Sequence, residues 1–258
     1  AGLAMDRPQV MGIVNVTPDS FSDGGKFLST QAAIEHALKL RDEGAQILDI
    51  GGESTRPNAH IVSAEEEQRR VLPVIRKLKS EAQKRNIKIS IDTRNASTMF
   101  EAVNAGADII NDVSALTHDP DSMKTAASTN AQIILMHMQG TPQTMQNNPT
   151  YNNVVADIFN YLEQRIADCV AAGIAKSRII IDPGLGFGKT AEHNIELLNN
   201  ARVFQKLGVP VLIGASRKSF LAKLHENRLT ASLTAATIAA QQGAHILRVH
   251  DIAETKEA

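Results

Sequence analysis

The chain has 258 residues, 27 Lys and Arg against 28 Asp and Glu, and 43% hydrophobic residues, an ordinary globular composition with a net charge of −1. It holds no run of five basic residues, only 3% aromatics and no Trp, so neither phosphate neutralisation nor base stacking supports nucleic-acid binding. No segment approaches the roughly 18 apolar residues of a membrane helix, residues 1–11 lack a signal-peptide stretch, and the lone Cys169 forbids an internal disulfide and reads as a buried structural thiol, so a cytoplasmic protein without a membrane partner is expected.

Along the chain, short β-rich apolar runs alternate with longer segments whose apolar residues recur at three- and four-residue spacing. The runs fall at residues 10–16, 47–50, 87–92, 108–112, 132–137, 178–182, 209–214 and 246–250. Apolar on successive positions, they predict parallel strands covered on both faces. Between them, Val71, Val74, Ile75 and Leu78 make one helical stripe, and Val155, Ile158, Phe159, Leu162 and Ile166 make another. Gly44, Gly106, Gly208 and Gly243 each stand between a helical pattern and the next strand, where a left-handed residue closes a helix. Eight such units predict a closed (β/α)8 TIM barrel, whereas an open doubly wound sheet has about five or six strands. No Pro/Ser-rich linker divides the chain, so residues 1–258 read as a single domain.

Polar residues stand at the C-terminal ends of these runs: Asn15, Asp49, Asp92, Asn111, His137, Asp182, Ser216 to Lys218, Arg248 and His250. Any one acid could cap a helix, but the set at consecutive strand ends predicts a polar ligand site on one face of the barrel. The loop NVTPDSFSDGGKF, residues 15–27, is too polar for core and too glycine-rich for helix, and reads as a mobile active-site loop. In GGESTRP, residues 51–57, Thr55 and Arg56 follow the second strand, and a guanidinium fork there suits phosphate. DPGLGFGKT, residues 182–190, fails the Walker pattern because Pro183 occupies its first glycine position, and fails the dinucleotide pattern because Gly184, Gly186 and Gly188 are evenly spaced. No HExxH occurs, and one cysteine supports no structural zinc site. His36, His60, His118, His193 and His225 read as residues of solvated faces or loops.

The motifs NVTPDSFSDGG, DIGGESTRP, IDT (91–93), IIND (109–112), LMHMQG (135–140), DPGLGFGK, GASRKSF (214–220) and RVHD (248–251) occur in the order found in dihydropteroate synthases, and the chain resembles that family from about residue 10 to residue 251. The resemblance implies transfer of a dihydropterin-methyl group from 6-hydroxymethyl-7,8-dihydropterin pyrophosphate to para-aminobenzoate, with release of pyrophosphate, in folate synthesis. By the same resemblance, Asp92, Asn111, Asp182 and Lys218 hold the pterin, Arg248 lies over its ring, and Met136 and Phe187 are apolar walls. Asn15, Arg56, Arg248 and His250 match the pyrophosphate side, with Mg²⁺ on Asn15. Asp19, Phe21, Thr55, Pro57 and Ser219 match the para-aminobenzoate side. Asn15, Asp92, Lys218, Arg248 and His250 form the implied catalytic set, and the family further implies sulfonamides as competitive inhibitors and a homodimer. Asn58 and Ala222 replace common glycines, the segment 219–228 is a few residues short, and the last helix looks truncated. A methyltetrahydrofolate:corrinoid methyltransferase barrel would share the pterin acids without reason to keep SRKS, RVHD and the first loop. A non-catalytic pterin-binding module would lose the loop residues that this chain retains.

Overall fold

In the computed structural model of the chain, residues 7–17, 25–54, 62–223 and 225–258 are described, with the first helix's side chains described from Thr30 onward. The apolar runs form β1 (Gln9–Asn15), β2 (Ile47–Gly51), β3 (Lys88–Asp92), β4 (Ile109–Asp112), β5 (Gln132–Met136), β6 (Ile179–Asp182), β7 (Leu212–Ile213) and β8 (Ile246–Val249). Helices α1 (Gly25–Asp42), α2 (Ala64–Lys84), α3 (Ala96–Ala105), α4 (Ser122–Ser128), α5 (Val154–Ala171), α6 (Ala191–Asn199), α7 (Ser219–Ala222), α8 (Arg228–Gln241) and α9 (Ile252–Glu257) lie between and after them. Neighbouring strands pair in parallel in the order β6-β5-β4-β3-β2-β1-β8-β7, and a bridge from Ile181 to Val211 joins the two edges, closing the (β/α)8 barrel. Among the described residues no helix is long and apolar enough to cross a membrane.

The helices form where the apolar stripes predict them. Ser63 caps α2 by accepting the Glu66 N–H, Glu65 to Glu67 complement the positive end of the helix dipole, and Val71, Val74, Ile75 and Leu78 are buried. Asn153 caps α5, which buries Ile158, Leu162, Ile166 and Cys169, while Val155 and Phe159 are half-buried at the edge of the stripe. The four predicted stop glycines all have positive φ.

Seven strands match their predicted runs to within one residue at each end, and β7 is much shorter than its run; the departures at β7 and β6 have a local cause. The run at 209–214 keeps only Leu212–Ile213 as strand, because Pro210 has no N–H for the ladder and the Val211 N–H is taken by His245 Nδ1 at 3.1 Å. The run at 178–182 begins one residue late, because Arg178 ends a short 3₁₀ turn and its guanidinium donates to the Ala126 and Ala131 carbonyls, both at 2.8 Å.

Side chains alternate across each strand, and the two faces have different fates. Outward residues such as Val14, Leu48, Ile89, Ile110, Ile133, Ile181 and Leu247 join the helices in the outer core. Inward, Met11, Ile47, Ile109, Ile134, Ile180, Leu212 and Ile246 form a separate, fully buried apolar layer. Two residues farther along the strands, on that same inward face, stand Asp49, Asn111, Met136, Asp182, Gly214 and Arg248, with Asp92 beyond Ser90 on β3 and Asn15 at the end of β1. One pleat period thus carries the barrel interior from hydrocarbon to charge.

Candidate active site

Arg248 is the centre of the polar layer. Its Nε donates to Asp49 Oδ2 at 2.6 Å and its Nη2 to Asp92 Oδ2 at 2.8 Å, while Asn111 Nδ2 donates to the same Asp49 oxygen at 3.0 Å. Strands β2, β3, β4 and β8 therefore contribute one group each to a single network. Burial works against the charge on Arg248, but Asp49 and Asp92 outweigh it and raise its pKa. Burial pushes the Asp92 carboxyl up to about 7, with Arg248 opposing and Asp49 adding to the rise.

Asp182 faces this network from β6, where its register partner on β5 is Met136. The Gly184 N–H donates to Asp182 Oδ1 at 2.7 Å, and the other carboxylate oxygen takes no hydrogen bond from the described residues. Burial raises the pKa of Asp182 against the Gly184 N–H, Lys218, Arg248 and Lys189. Lys218, just before α7, places Nζ 2.8 Å from the Leu185 carbonyl and 4.0 Å from the centre of the Phe187 ring, a cation–π contact. Burial lowers its pKa to about 7, with Asp182 opposing. On the Asp182 side of the mouth, a carboxylate oxygen with no hydrogen bond from the described residues therefore lies near an ammonium that itself stands over an aromatic ring.

The glycine-rich run after β6 is a backbone device. Gly184, Gly186 and Gly188 have φ of 72°, 82° and 66°, and a Cβ on Gly184 would lie 1.9 Å from the His137 carbonyl oxygen. The even glycine spacing that fits neither nucleotide pattern is what lets this loop lie against the end of β5.

At the end of β8, Ser216 Oγ lies 3.0 Å from His250 Nδ1 and accepts the His250 N–H at 3.2 Å. Arg217 adopts φ 57° and pairs with Asp251, so this arginine of SRKS turns away from the barrel axis. Ser219, the first residue of α7, is exposed. Asn15 ends β1 half-buried and its side chain makes no hydrogen bond with the described residues. Asp19, Phe21, Thr55, Arg56 and Pro57, and with them the reading of 15–27 as a mobile loop, lie outside the described residues apart from its ends.

The structure brings together Asp92, Asn111, Met136, Asp182, Phe187, Lys218 and Arg248 at one end of the barrel, with Asn15 and His250 on the adjoining strand ends. Three participants had no assigned role in the sequence. Asp49 was visible as a strand-end acid, but its pairing spans the chain to Arg248. Glu53 and Arg94 form a two-point ion pair at 3.0 Å, and Glu53 also accepts the Val62 N–H at 3.3 Å. The carboxylate thereby joins residues on either side of segment 55–61.

The family model described as pterin binding enzyme matches residues 11–250. The Escherichia coli K12 dihydropteroate synthase is 48% identical over 260 residues, spanning 99% of this chain and 91% of that protein. The chain belongs to the dihydropteroate synthase family. Among solved structures, the Yersinia pestis dihydropteroate synthase with a sulfonamide drug is 46% identical with a TM-score of 0.92, covering 99% of this chain and 93% of that one. The Xanthomonas albilineans dihydropteroate synthase with 4-aminobenzoic acid is 47% identical with a TM-score of 0.91, covering 99% and 92%. Family membership makes the chain a transferase of folate biosynthesis.

Proposed function

We propose a division of labour for the family's reaction in which the buried polar layer binds the pterin and the rim of the barrel handles the pyrophosphate and para-aminobenzoate. The supporting observation is the mouth near Asp182: a buried carboxylate oxygen with no hydrogen bond from the described residues, near the Lys218 ammonium that stands over the Phe187 ring. The 2-amino and N3–H edge of a pterin offers two adjacent donors, and a carboxylate accepts both. Lys218 donates to the 4-oxo group, Asn111 and Asp92 serve the remaining polar edge, and Met136 and Phe187 pack against the ring. Arg248, held in place by Asp49 and Asp92, presents the flat face of its guanidinium for stacking.

The methylene C–O bond breaks as pyrophosphate leaves with its electron pair. The amine of para-aminobenzoate then forms the new C–N bond and loses a proton. The enzyme's contribution is charge stabilisation, with no covalent intermediate. Arg56, Arg248 and His250 hold the leaving group, while Asp19, Phe21, Thr55, Pro57 and Ser219 form the aminobenzoate side, which also accepts para-amino aryl sulfonamides.

Asn15 fits a Mg²⁺ ion as a single neutral oxygen ligand with no competing hydrogen bond among the described residues, and no group of three or more His, Cys, Asp or Glu that could hold a metal occurs among them. A Mg²⁺ held by Asn15 would take most ligands from pyrophosphate and water, and would supply neutralisation of the leaving group's charge. The family reading also includes a homodimer in the cytoplasm, which light scattering of the purified protein tests for assembly.

Pyrophosphate release from the two substrates tests the reaction, and release without para-aminobenzoate incorporation would contradict it. For the metal, titration calorimetry of pyrophosphate with and without Mg²⁺ is expected to show tighter binding with Mg²⁺, and Asn15→Ala to remove most of that difference. An unchanged Mg²⁺ dependence in Asn15→Ala would remove the ion from Asn15.

A further inference from the structure

Lys189 is buried, 3% exposed, and takes no part in the reading above. A lysine is rarely placed so deep without partners, because its ammonium loses hydration that only close acceptors replace. Here its Nζ lies 3.0 Å from His137 Nδ1, 2.9 Å from the Phe187 carbonyl and 3.4 Å from the His137 carbonyl. Three acceptors around one nitrogen match the three N–H bonds of an ammonium, whereas a neutral amine has only two to give.

The acceptors belong to two loops that must not separate. His137 follows β5, and Phe187 lies on the glycine-rich loop after β6. The loops touch backbone to backbone: a Cβ on Gly184 would meet the His137 carbonyl at 1.9 Å, and one on Gly188 would meet the Gln139 carbonyl at 2.7 Å. Close approach of this kind brings carbonyl oxygens together with no N–H between them. Lys189 supplies the missing donor.

We infer that Lys189 is a positioning residue for the pterin: tied to His137 and Phe187, it stitches the loop after β6 to the end of β5 and so holds Asp182 and Phe187 where the ring binds. The inference rests on the proposed pterin site. It also gives His137 a role, since a ring whose Nδ1 accepts from Lys189 carries its proton on Nε2 and stays neutral. Burial and then the Lys189 charge push the pKa of His137 down to about 3, which agrees. His137, although at a strand end, is an acceptor here and not a proton-transfer group. The rings of Tyr151 and Tyr161 pack around it, with centroids 6.0 and 4.9 Å away.

A second consequence is electrostatic. Asp182 is faced by the Gly184 N–H from its own loop, by Lys218 from beside α7, by Arg248 from β8 and by Lys189. Burial lowers the pKa of Lys189 to about 7, with Asp182 opposing and Lys218 adding to the fall, so its positive charge is fully present on the acid side of neutrality, where the Asp182 carboxylate titrates. Arg248 is already committed to Asp49 and Asp92, and Lys218 donates to the pterin in the proposed site, so Lys189 adds a third, smaller positive contribution to the Asp182 carboxylate, one that no ligand contact draws on. Removing that charge shifts the Asp182 pKa upward.

The test is pterin binding by Lys189→Met as a function of pH, alongside Asp182→Asn. We expect the dissociation constant for 6-hydroxymethyl-dihydropterin to rise at least about tenfold at pH 7 and the acid limb of binding to move up by about one pH unit. The KM for para-aminobenzoate at saturating pterin substrate is expected to change less than about twofold. A residue serving only fold stability would reduce the folded fraction without moving the acid limb. Wild-type affinity and acid limb in folded Lys189→Met would overturn the inference. Should that variant fail to fold, nitrogen NMR of the unaltered protein decides: His137 is expected to be neutral with its proton on Nε2 at about pH 5, and a protonated ring or an Nδ1–H tautomer there would overturn it. Wild-type pterin affinity in Asp182→Asn would instead remove the pterin reading itself. Lost affinity in Asp182→Asn with an unchanged Lys189→Met would defeat the role of Lys189 alone.

Discussion

Two layers inside one barrel are built on opposite rules. In the lower, Met11, Ile47, Ile109, Ile134, Ile180, Leu212 and Ile246 exclude water with hydrocarbon and contribute stability in proportion to the area they bury. In the upper, Asp49, Asn111 and Asp182 are buried and Asp92 and Arg248 half-buried as charged or polar groups, a placement that costs stability unless partners compensate. The strands are the same; only one pleat step separates Ile180 from Asp182, or Ile246 from Arg248. The barrel therefore keeps its stability and its chemistry at different heights, and substitutions two residues apart should have different signatures.

The largest effect on folding is expected in the lower layer. Ile180→Ala should destabilise the protein by about 2 to 5 kcal/mol, since its neighbours close packing on all sides, while the molecules that remain folded bind pterin with near-wild-type affinity. Chemical denaturation combined with calorimetry measures both. A loss of affinity as large as the loss of stability would mean that the two layers are not separable.

The upper layer should respond in the opposite sense. Lys218 has a folded pKa of about 7 against an ordinary value of 10.5, because burial outweighs the attraction of Asp182. Between those values the unfolded chain binds more protons than the folded one, so stability rises with pH across that window, and the full cost of burying the charge is present below about 7. Lys218→Met is thus expected to raise the Tm of the ligand-free protein at pH 7, to lose that advantage as pH rises toward 10.5, and to bind pterin poorly throughout. A lower Tm at pH 7 would show that Lys218 is a structural member of the core.

A smaller effect sharpens the boundary between the buried layer and the rim. Arg56→Ala should weaken binding of the pyrophosphate ester but spare the pterin alcohol, which lacks the pyrophosphate, whereas Lys218→Ala should weaken both. Calorimetry with the alcohol separates them, and equal losses in the two variants would refute the division of roles.

The two-layer pattern explains what could be read from the sequence. Continuous apolar runs with a polar residue at the C-terminal end are the linear trace of strands covered on both faces that end at a ligand, so the barrel and most of its mouth were legible. Partnerships were not, because they join distant parts of the chain. Asp49 is separated from Arg248 by 199 positions and Lys189 from His137 by 52, and nothing local marks either pair. Lys189 was further disguised by its place after three glycines, where a lysine suggests phosphate. The short β7 was legible in principle, since Pro210 cannot donate to a ladder, but closure through Val211 depends on its neighbour Ile181.

The central claim is that the polar layer, and Asp182 in particular, recognises the pterin edge. Titration calorimetry of 6-hydroxymethyl-dihydropterin into wild-type protein and Asp182→Asn tests it most directly, with thermal unfolding of both as the control. An amide offers one donor and one acceptor to an edge that presents two donors, so the variant is expected to remain folded and to lose about 2 to 4 kcal/mol of binding free energy. Near-wild-type affinity in a folded Asp182→Asn would contradict the account.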